Sequence, residues 1–275
     1  MLRFEHKVAL VTGGAGGIGL AIARRFATEG ASVAIADIDT VRGPTAEREL
    51  LQTGPARFIE MDLGRPQDAP RTVAETVGEF GAIDILVNCA AVLGGRHAVP
   101  DVPLDDWEHV IRVNLTGTFL ITQAVVRRML EQGRGGAIVN ILAIQPIMPL
   151  PKWSAYAASK GGLIALNRAL AVELAAEGIR VNGIAVGSVY TEAAASAALD
   201  PTMVRASGKP PAELDRSAAG LVGRMGLPED IAGIAAFLAS EDASYLAGAI
   251  IPADGGRMIS RKPDPFYAAA RKADD

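Results

Sequence analysis

Near the N-terminus an apolar run, a glycine-dense turn and a helical pattern follow one another without a gap. Lys7–Thr12 (KVALVT) leads into Gly13-Gly14-Ala15-Gly16-Gly17-Ile18-Gly19, and the amphipathic stretch Ile18–Glu29 ends at Gly30. A strand that is apolar at every position, and not at alternate ones, is buried on both faces, as in a parallel sheet covered by helices. The same alternation continues down the chain. Strands are expected at Ser32–Ala36, Arg57–Met61, Ile83–Val87, Gly136–Ile141 and Ile179–Ala185, with Gly248–Pro252 a candidate seventh. Between them lie helical patterns at Val41–Gln52, Asp68–Phe80, Asp105–Glu131 and Ser154–Glu177. Strand–helix alternation of this kind defines the α/β class.

The implied architecture is a Rossmann-like, doubly wound parallel sheet of about seven strands with helices on both faces. The 275 residues are read as one such domain over 1–258 and a polar, Pro-containing tail over 259–275. The stretch 187–223 breaks the rhythm and is rich in Ala, Ser and Pro. It follows a strand's C-terminal end, the edge where open α/β sheets bind ligands. It therefore reads as a substrate lid, with a surface loop carrying two packing helices as the alternative.

Several classes of function are disfavoured. The net charge is −4 and no basic stripe occurs, so no nucleic-acid partner is expected. His6, His97 and His109 lack ligand spacing and Cys89 is the only cysteine, so no metal site and no internal disulfide are expected. No apolar run is long enough for a membrane span, and the N-terminus lacks signal-peptide character, so a cytoplasmic location is expected.

The glycine turn carries chemistry. Glycines let the backbone approach a pyrophosphate, and the following helix offers free N–H groups and its positive dipole end to that anion. Asp37 closes the next strand (SVAIAD). A carboxylate there can hold both ribose hydroxyls of NAD and repel the 2′-phosphate of NADP. Gly16 cannot neutralise such a phosphate, whereas nearby Arg42 can. The plain alternative is that Asp37 only starts the following turn.

Tyr156 and Lys160 open the helix after the fifth strand, four residues apart and so on one face. A neighbouring ammonium lowers a phenol's pKa from its usual value of about 10, which suits the phenol to proton transfer at a substrate oxygen. Lys160 can also hold the nicotinamide ribose. A Tyr and Lys met alone on a helix are more often a packed ring and a solvated charge.

Together these segments resemble the short-chain dehydrogenase/reductase family, in its short single-domain branch, from about Lys7 to Gly256. TGGAGGIG matches the family's T-G-x-x-x-G-x-G, and YAASK matches its Y-x-x-x-K. The resemblance assigns proton transfer to Tyr156, ribose binding and pKa lowering to Lys160, and a helix kink with a relay water to Asn114 in VNLTGTF. It implies an NAD site made by Gly13, Gly17, Ile18, Gly19, Asp37, Asp62, Leu63, Asn88, Ala90, Tyr156, Lys160, Val189 and Thr191. Asp62 is the expected adenine acceptor, and Val189 and Thr191 fall where the family grips the carboxamide. RMGLPEDIAGIAAFLAS followed by Asp254-Gly255-Gly256 resembles the family's C-terminal region. A small alcohol or ketone substrate and assembly as a homo-tetramer are implied.

Three departures stand out. The family's N-N-A-G is Asn88-Cys89-Ala90-Ala91, tolerable if Ala91 keeps a negative φ. Its Pro-Gly after the sixth strand is Val186-Gly187, which is expected to loosen a turn. Its substrate-orienting Ser, thirteen residues before the Tyr, is Ala143. One lost donor of this kind costs about 10²–10³ in turnover. Gln145, two residues on and so on the same side of an extended chain, is a candidate replacement, as are Ser154 and Ser188. Two other readings remain: a nucleotide-binding protein of this fold with weak or no catalysis, for which Ala143 speaks, and a structural partner subunit, which would need neither the glycine turn nor Asp37.

Overall fold

The computed structural model describes residues 2–191 and 220–262. Among these described residues, seven strands form one wholly parallel sheet in the order β3-β2-β1-β4-β5-β6-β7. They are β1 (Val8–Thr12), β2 (Ser32–Asp37), β3 (Ala56–Glu60), β4 (Ile85–Asn88), β5 (Gly136–Ala143), β6 (Ile179–Val186) and β7 (Ile250–Ala253). Among the described residues the α-helices are α1 (Gly17–Thr28), α2 (Arg42–Leu50), α3 (Asp68–Phe80), α4 (Leu104–Ile111), α5 (Thr118–Gln132), α6 (Ser154–Leu174) and α7 (Pro228–Ala239).

The apolar strands have the reason the sequence suggests. Successive side chains of a strand point to opposite faces. In β1, Ala9 and Val11 enter a layer with Ile22 and Phe26 of α1 and Ile231 and Leu238 of α7. Leu10, between them, enters the opposite layer with Val73 of α3, Val125 and Met129 of α5, and Leu174 of α6. Full burial of each such large side chain contributes about 1.5–3 kcal/mol before the entropy of ordering it.

The predicted strands all occur, with shifted ends. β4 starts two residues later than expected because Asp84 serves as a clamp: its carboxylate accepts the Val8 N–H at 2.9 Å and pairs with Arg134 at 2.7 Å. β5 and β6 run on to Ala143 and Val186, which pair with each other. Val186 also pairs with Ala253 of β7, so Val in place of Pro continues the strand and does not loosen a turn. Ala91 is not among the non-glycine residues with positive φ, as its tolerance required.

Two corrections concern helices. The expected long helix over 105–131 is broken: α4 and α5 flank a wider π turn at Arg112–Gly117. α7 was not read from periodicity. Its Pro228 stands at the first turn, and Asp230 accepts the Leu227 N–H at 2.7 Å. Of the expected lid and tail, residues 192–219 and 263–275 lie outside the described residues.

The strand order reverses between β1 and β4. Their C-terminal ends therefore diverge into a crevice, the usual ligand position in an open α/β sheet.

Candidate active site

A cavity of about 1390 Å³ opens along the C-terminal edge of the sheet. It is larger than the roughly 300–1,000 Å³ typical of small-molecule sites, which leaves room for a dinucleotide and a second molecule together. The β1–α1 turn forms one wall, with Gly13, Gly17, Ile18 and Gly19 all lining it. Gly17 has φ +51°, a left-handed conformation natural to glycine. α1 begins with no side-chain cap, so its first N–H groups remain for an anion. A Cβ placed on Gly16 would meet only the Arg42 guanidinium, at 3.7 Å, so the mouth of the turn is open.

Asp37 lines the same wall. One carboxylate oxygen accepts the Ala15 N–H and the other the Asp39 N–H, both at 3.0 Å. A carboxylate has about four acceptor positions, so lone pairs remain for ribose hydroxyls. Arg42 forms an ion pair with Asp39 at 3.6 Å. That corner therefore holds two carboxylates against one guanidinium.

Asp62 and Leu63 line the next stretch. Asp62 is held by its own turn: Oδ1 accepts the Gly64 N–H at 2.7 Å, and Oδ2 lies 3.4 Å from Arg65. Ala90 is fixed by Thr12, whose hydroxyl accepts the N–H groups of Cys89 and Ala90 at 3.0 and 3.2 Å. Val189 and Thr191 close the cavity beyond β6, and Val189 is steadied by a bridge to Gly226.

Tyr156 and Lys160 project from the first turns of α6 into the cavity. The Lys160 ammonium donates to the Ile141 carbonyl at 2.9 Å and lies 5.7 Å from the centre of the Tyr156 ring. Burial pushes the Lys160 ammonium down to about 8, because a cation is poorly solvated there. Burial also pushes the Tyr156 phenol up to about 12, with the adjacent Cys89 thiol adding to the shift. This corrects the expectation that Lys160 lowers the phenol: among the protein's own groups desolvation wins.

Two members of the expected set do not line the cavity. Asn114 is fully buried in the π turn, where Oδ1 accepts the Val92 N–H and Nδ2 donates to the Val92 carbonyl, both at 2.8 Å, and to Ser159 Oγ at 3.1 Å. Asn88 belongs to an amide ladder beneath the floor, donating to Asn140 at 2.8 Å and Thr122 at 2.9 Å, while Asn140 donates to Asn167 at 2.9 Å. Both positions support the wall from behind. The Asn88 amide hydrogens are spent on that ladder.

Ala143 lines the cavity with a methyl group, as counted from the sequence. Gln145 and Ser188 line it too, whereas Ser154 does not. The sequence reading missed the Ile141 carbonyl, Thr12 and the residues after β7, from Asp254 to Ser260, that face the cavity. The ligand-bearing edge of the sheet is the signal that would have pointed to that last segment.

Comparison with known proteins agrees with this geometry. Residues 13–257 match the family model described as enoyl-(acyl carrier protein) reductase. D-threitol dehydrogenase of Mycolicibacterium smegmatis is 38% identical over 94% of this chain and 95% of its own. Dehydrogenase/reductase SDR family member 4 of Bos taurus is 36% identical over 92% of this chain and 88% of its own. The crystal structure of NAD+-bound xylitol dehydrogenase superposes with a TM-score of 0.85 at 33% identity, covering 92% of this chain and 100% of that one. The chain belongs to the short-chain dehydrogenase/reductase family and is an oxidoreductase.

Proposed function

We propose that the protein transfers a hydride between NAD(H) and a secondary alcohol or its ketone, with Tyr156 as the proton-transfer residue. The observation that carries this reading is the convergence of Tyr156 and Lys160 with the glycine turn and Asp37 on one cavity. The residues fit the dinucleotide: an open, uncapped helix start suits the pyrophosphate, and Asp37 suits the adenosine ribose. Gly13, Gly17, Ile18 and Gly19 would hold the pyrophosphate side, Asp62, Leu63 and Ala90 the adenine side, and Val189 and Thr191 the carboxamide.

When bound, the dinucleotide supplies the two-electron acceptor or donor. The chain's own residues do the rest. Lys160 would hold the nicotinamide ribose, and it remains charged near neutral pH because burial lowers its pKa only to about 8. Tyr156 takes the proton from the carbinol oxygen or returns it to the carbonyl. Its raised pKa of about 12 makes it an acid held in reserve, and the charge of an oxidised nicotinamide would act against that rise. Asn114 positions this machinery through Val92 and Ser159. The named activities of the relatives, on threitol and on xylitol, support an alcohol substrate. The family resemblance supports a homo-tetramer.

A second reading, a nucleotide-binding protein with weak turnover, is favoured by the Ala143 methyl alone. Following reduced-nicotinamide absorbance across a panel of secondary alcohols decides between them. Turnover with NAD supports the enzyme; NAD binding without turnover of any alcohol or ketone supports the second reading.

A further inference from the structure

Ser159 lies between Tyr156 and Lys160 in the first turns of α6 and is fully buried. Its hydroxyl is engaged on both sides: Oγ accepts from Asn114 Nδ2 at 3.1 Å and donates to the Tyr156 carbonyl at 2.8 Å. The direction of these bonds is fixed from the far end. The Val92 N–H needs an acceptor, so Asn114 turns Oδ1 toward it, and the two amide hydrogens are left for the Val92 carbonyl and Ser159. With Asn114 donating to its oxygen, the Ser159 hydroxyl directs its own hydrogen to Tyr156. α6 is pressed against the π turn at this level: a Cβ on Gly162, one turn further along the same face, would stand 2.8 Å from the Leu115 side chain.

We infer that Ser159 is a positioning residue, tying the backbone carbonyl shared by Tyr156 and Lys160 to the cavity wall at Val92. The carbonyl it grips belongs to Tyr156, and in an α-helix that carbonyl also serves the N–H four residues on, that of Lys160. One hydroxyl therefore acts on both members of the pair. Local helix stability does not call for it, because alanine forms helix better than serine. A serine that bonds back along its own helix tends to bend the turn. Held by Asn114, that bend becomes a fixed setting of α6 against the wall Cys89–Val92, which lines the cavity. The Tyr156 phenol and the Lys160 ammonium then keep one place relative to that wall. The consequence for turnover rests on the proposed dehydrogenase reading; the tie itself does not.

The test is Ser159→Ala, with a melting curve to check the fold, read in two ways. The first is amide exchange by mass spectrometry, which needs neither cofactor nor turnover. Exchange over Ala155–Lys160 should quicken by at least about tenfold while Leu163–Leu174 of the same helix stays as in the parent, because local opening is governed by local bonds. A purely global loss of stability would not be confined to the first turns. The second is kcat with NAD for a secondary alcohol that the parent turns over. It should fall by about tenfold or more with KM for the alcohol within about twofold, since a misplacement of about 1 Å can cost about 10²-fold and lost alignment acts on the transition state. If the alanine variant does not fold, Ser159→Cys, which fills the same space with a weak donor and acceptor, gives both readouts. Parent-like exchange in the first turns overturns the inference, and so does parent-like kcat where the parent is active. Localised quickening in a protein that turns over no alcohol or ketone supports the tie and overturns the dehydrogenase reading; parent-like exchange without turnover overturns both.

Discussion

Tyr156 and Lys160 are a pair whose burial works on each of them in opposite directions, and both effects are measurable. Tyr156→Phe removes only the hydroxyl. Turnover should fall by at least about 10²-fold, within the range for general acid–base catalysis. NAD affinity, by calorimetry, should change little, because that hydroxyl serves the substrate. Lys160 has a folded-state pKa of about 8 against a usual 10.5. Between those values the unfolded chain binds the proton and the folded one does not, so this group's contribution to stability rises with pH. Below about pH 8 the buried cation costs stability in full. The melting temperature of the parent relative to Lys160→Met should therefore climb between pH 8 and 10.5, and a flat difference would refute the shift. Ala143 tests the missing donor. Ala143→Ser should raise kcat/KM, by up to about 10²–10³ if nothing yet fills the role. If Gln145 fills it, Gln145→Ala should harm the parent much more than the Ala143→Ser variant, a non-additivity expected of groups sharing one task.

At the scale of the element, the π turn Arg112–Gly117 joins the core to the site. Gly117 packs so tightly that a Cβ there would drive into the Leu63 carbonyl, in the segment expected to meet adenine. Gly117→Ala should therefore cost about 1–3 kcal/mol of stability by overpacking. It should also weaken NAD binding by displacing Leu63, read by thermal melt and calorimetry; unchanged affinity would uncouple the two. This turn also shows where sequence reading stops. The stretch 105–131 reads as one helix because a π turn keeps the backbone helical and no proline marks it. The strands were legible because burial on both faces leaves a run with no polar gaps, as in Leu10 between Ala9 and Val11. Their ends were not, because Asp84 is polar yet belongs to the sheet's clamp. In the site, Gly17, Asp37, Tyr156 and Lys160 were legible through motif spacing. The Ile141 carbonyl was not, since no residue type announces a backbone acceptor.

For the molecule as a whole, the charge at the Asp37 corner should decide cofactor choice. Arg42 is drawn to Asp39, and a 2′-phosphate would add negative charge beside Asp37. NAD should bind at least about tenfold tighter than NADP, a preference of the kind this acidic residue confers. Present at about a hundred times its Kd, NAD should stabilise the fold by about 2.7 kcal/mol, visible as a rise in Tm. An equal rise with NADP at matched concentration would implicate Arg42 as a phosphate partner.

The wholly parallel sheet has a consequence for anyone who wishes to alter the protein. Every strand delivers its C-terminal tip to the same edge, so the cavity draws on residues from Gly13 to Lys262 and no short fragment can carry the chemistry. The opposite edge is built of tight reversals, such as Gly81 between α3 and β4 and Gly133 between α5 and β5, and neither faces the cavity. New termini, a fluorophore or a surface tether introduced at those reversals would stand a sheet's length from the reacting atoms, leaving the working edge free.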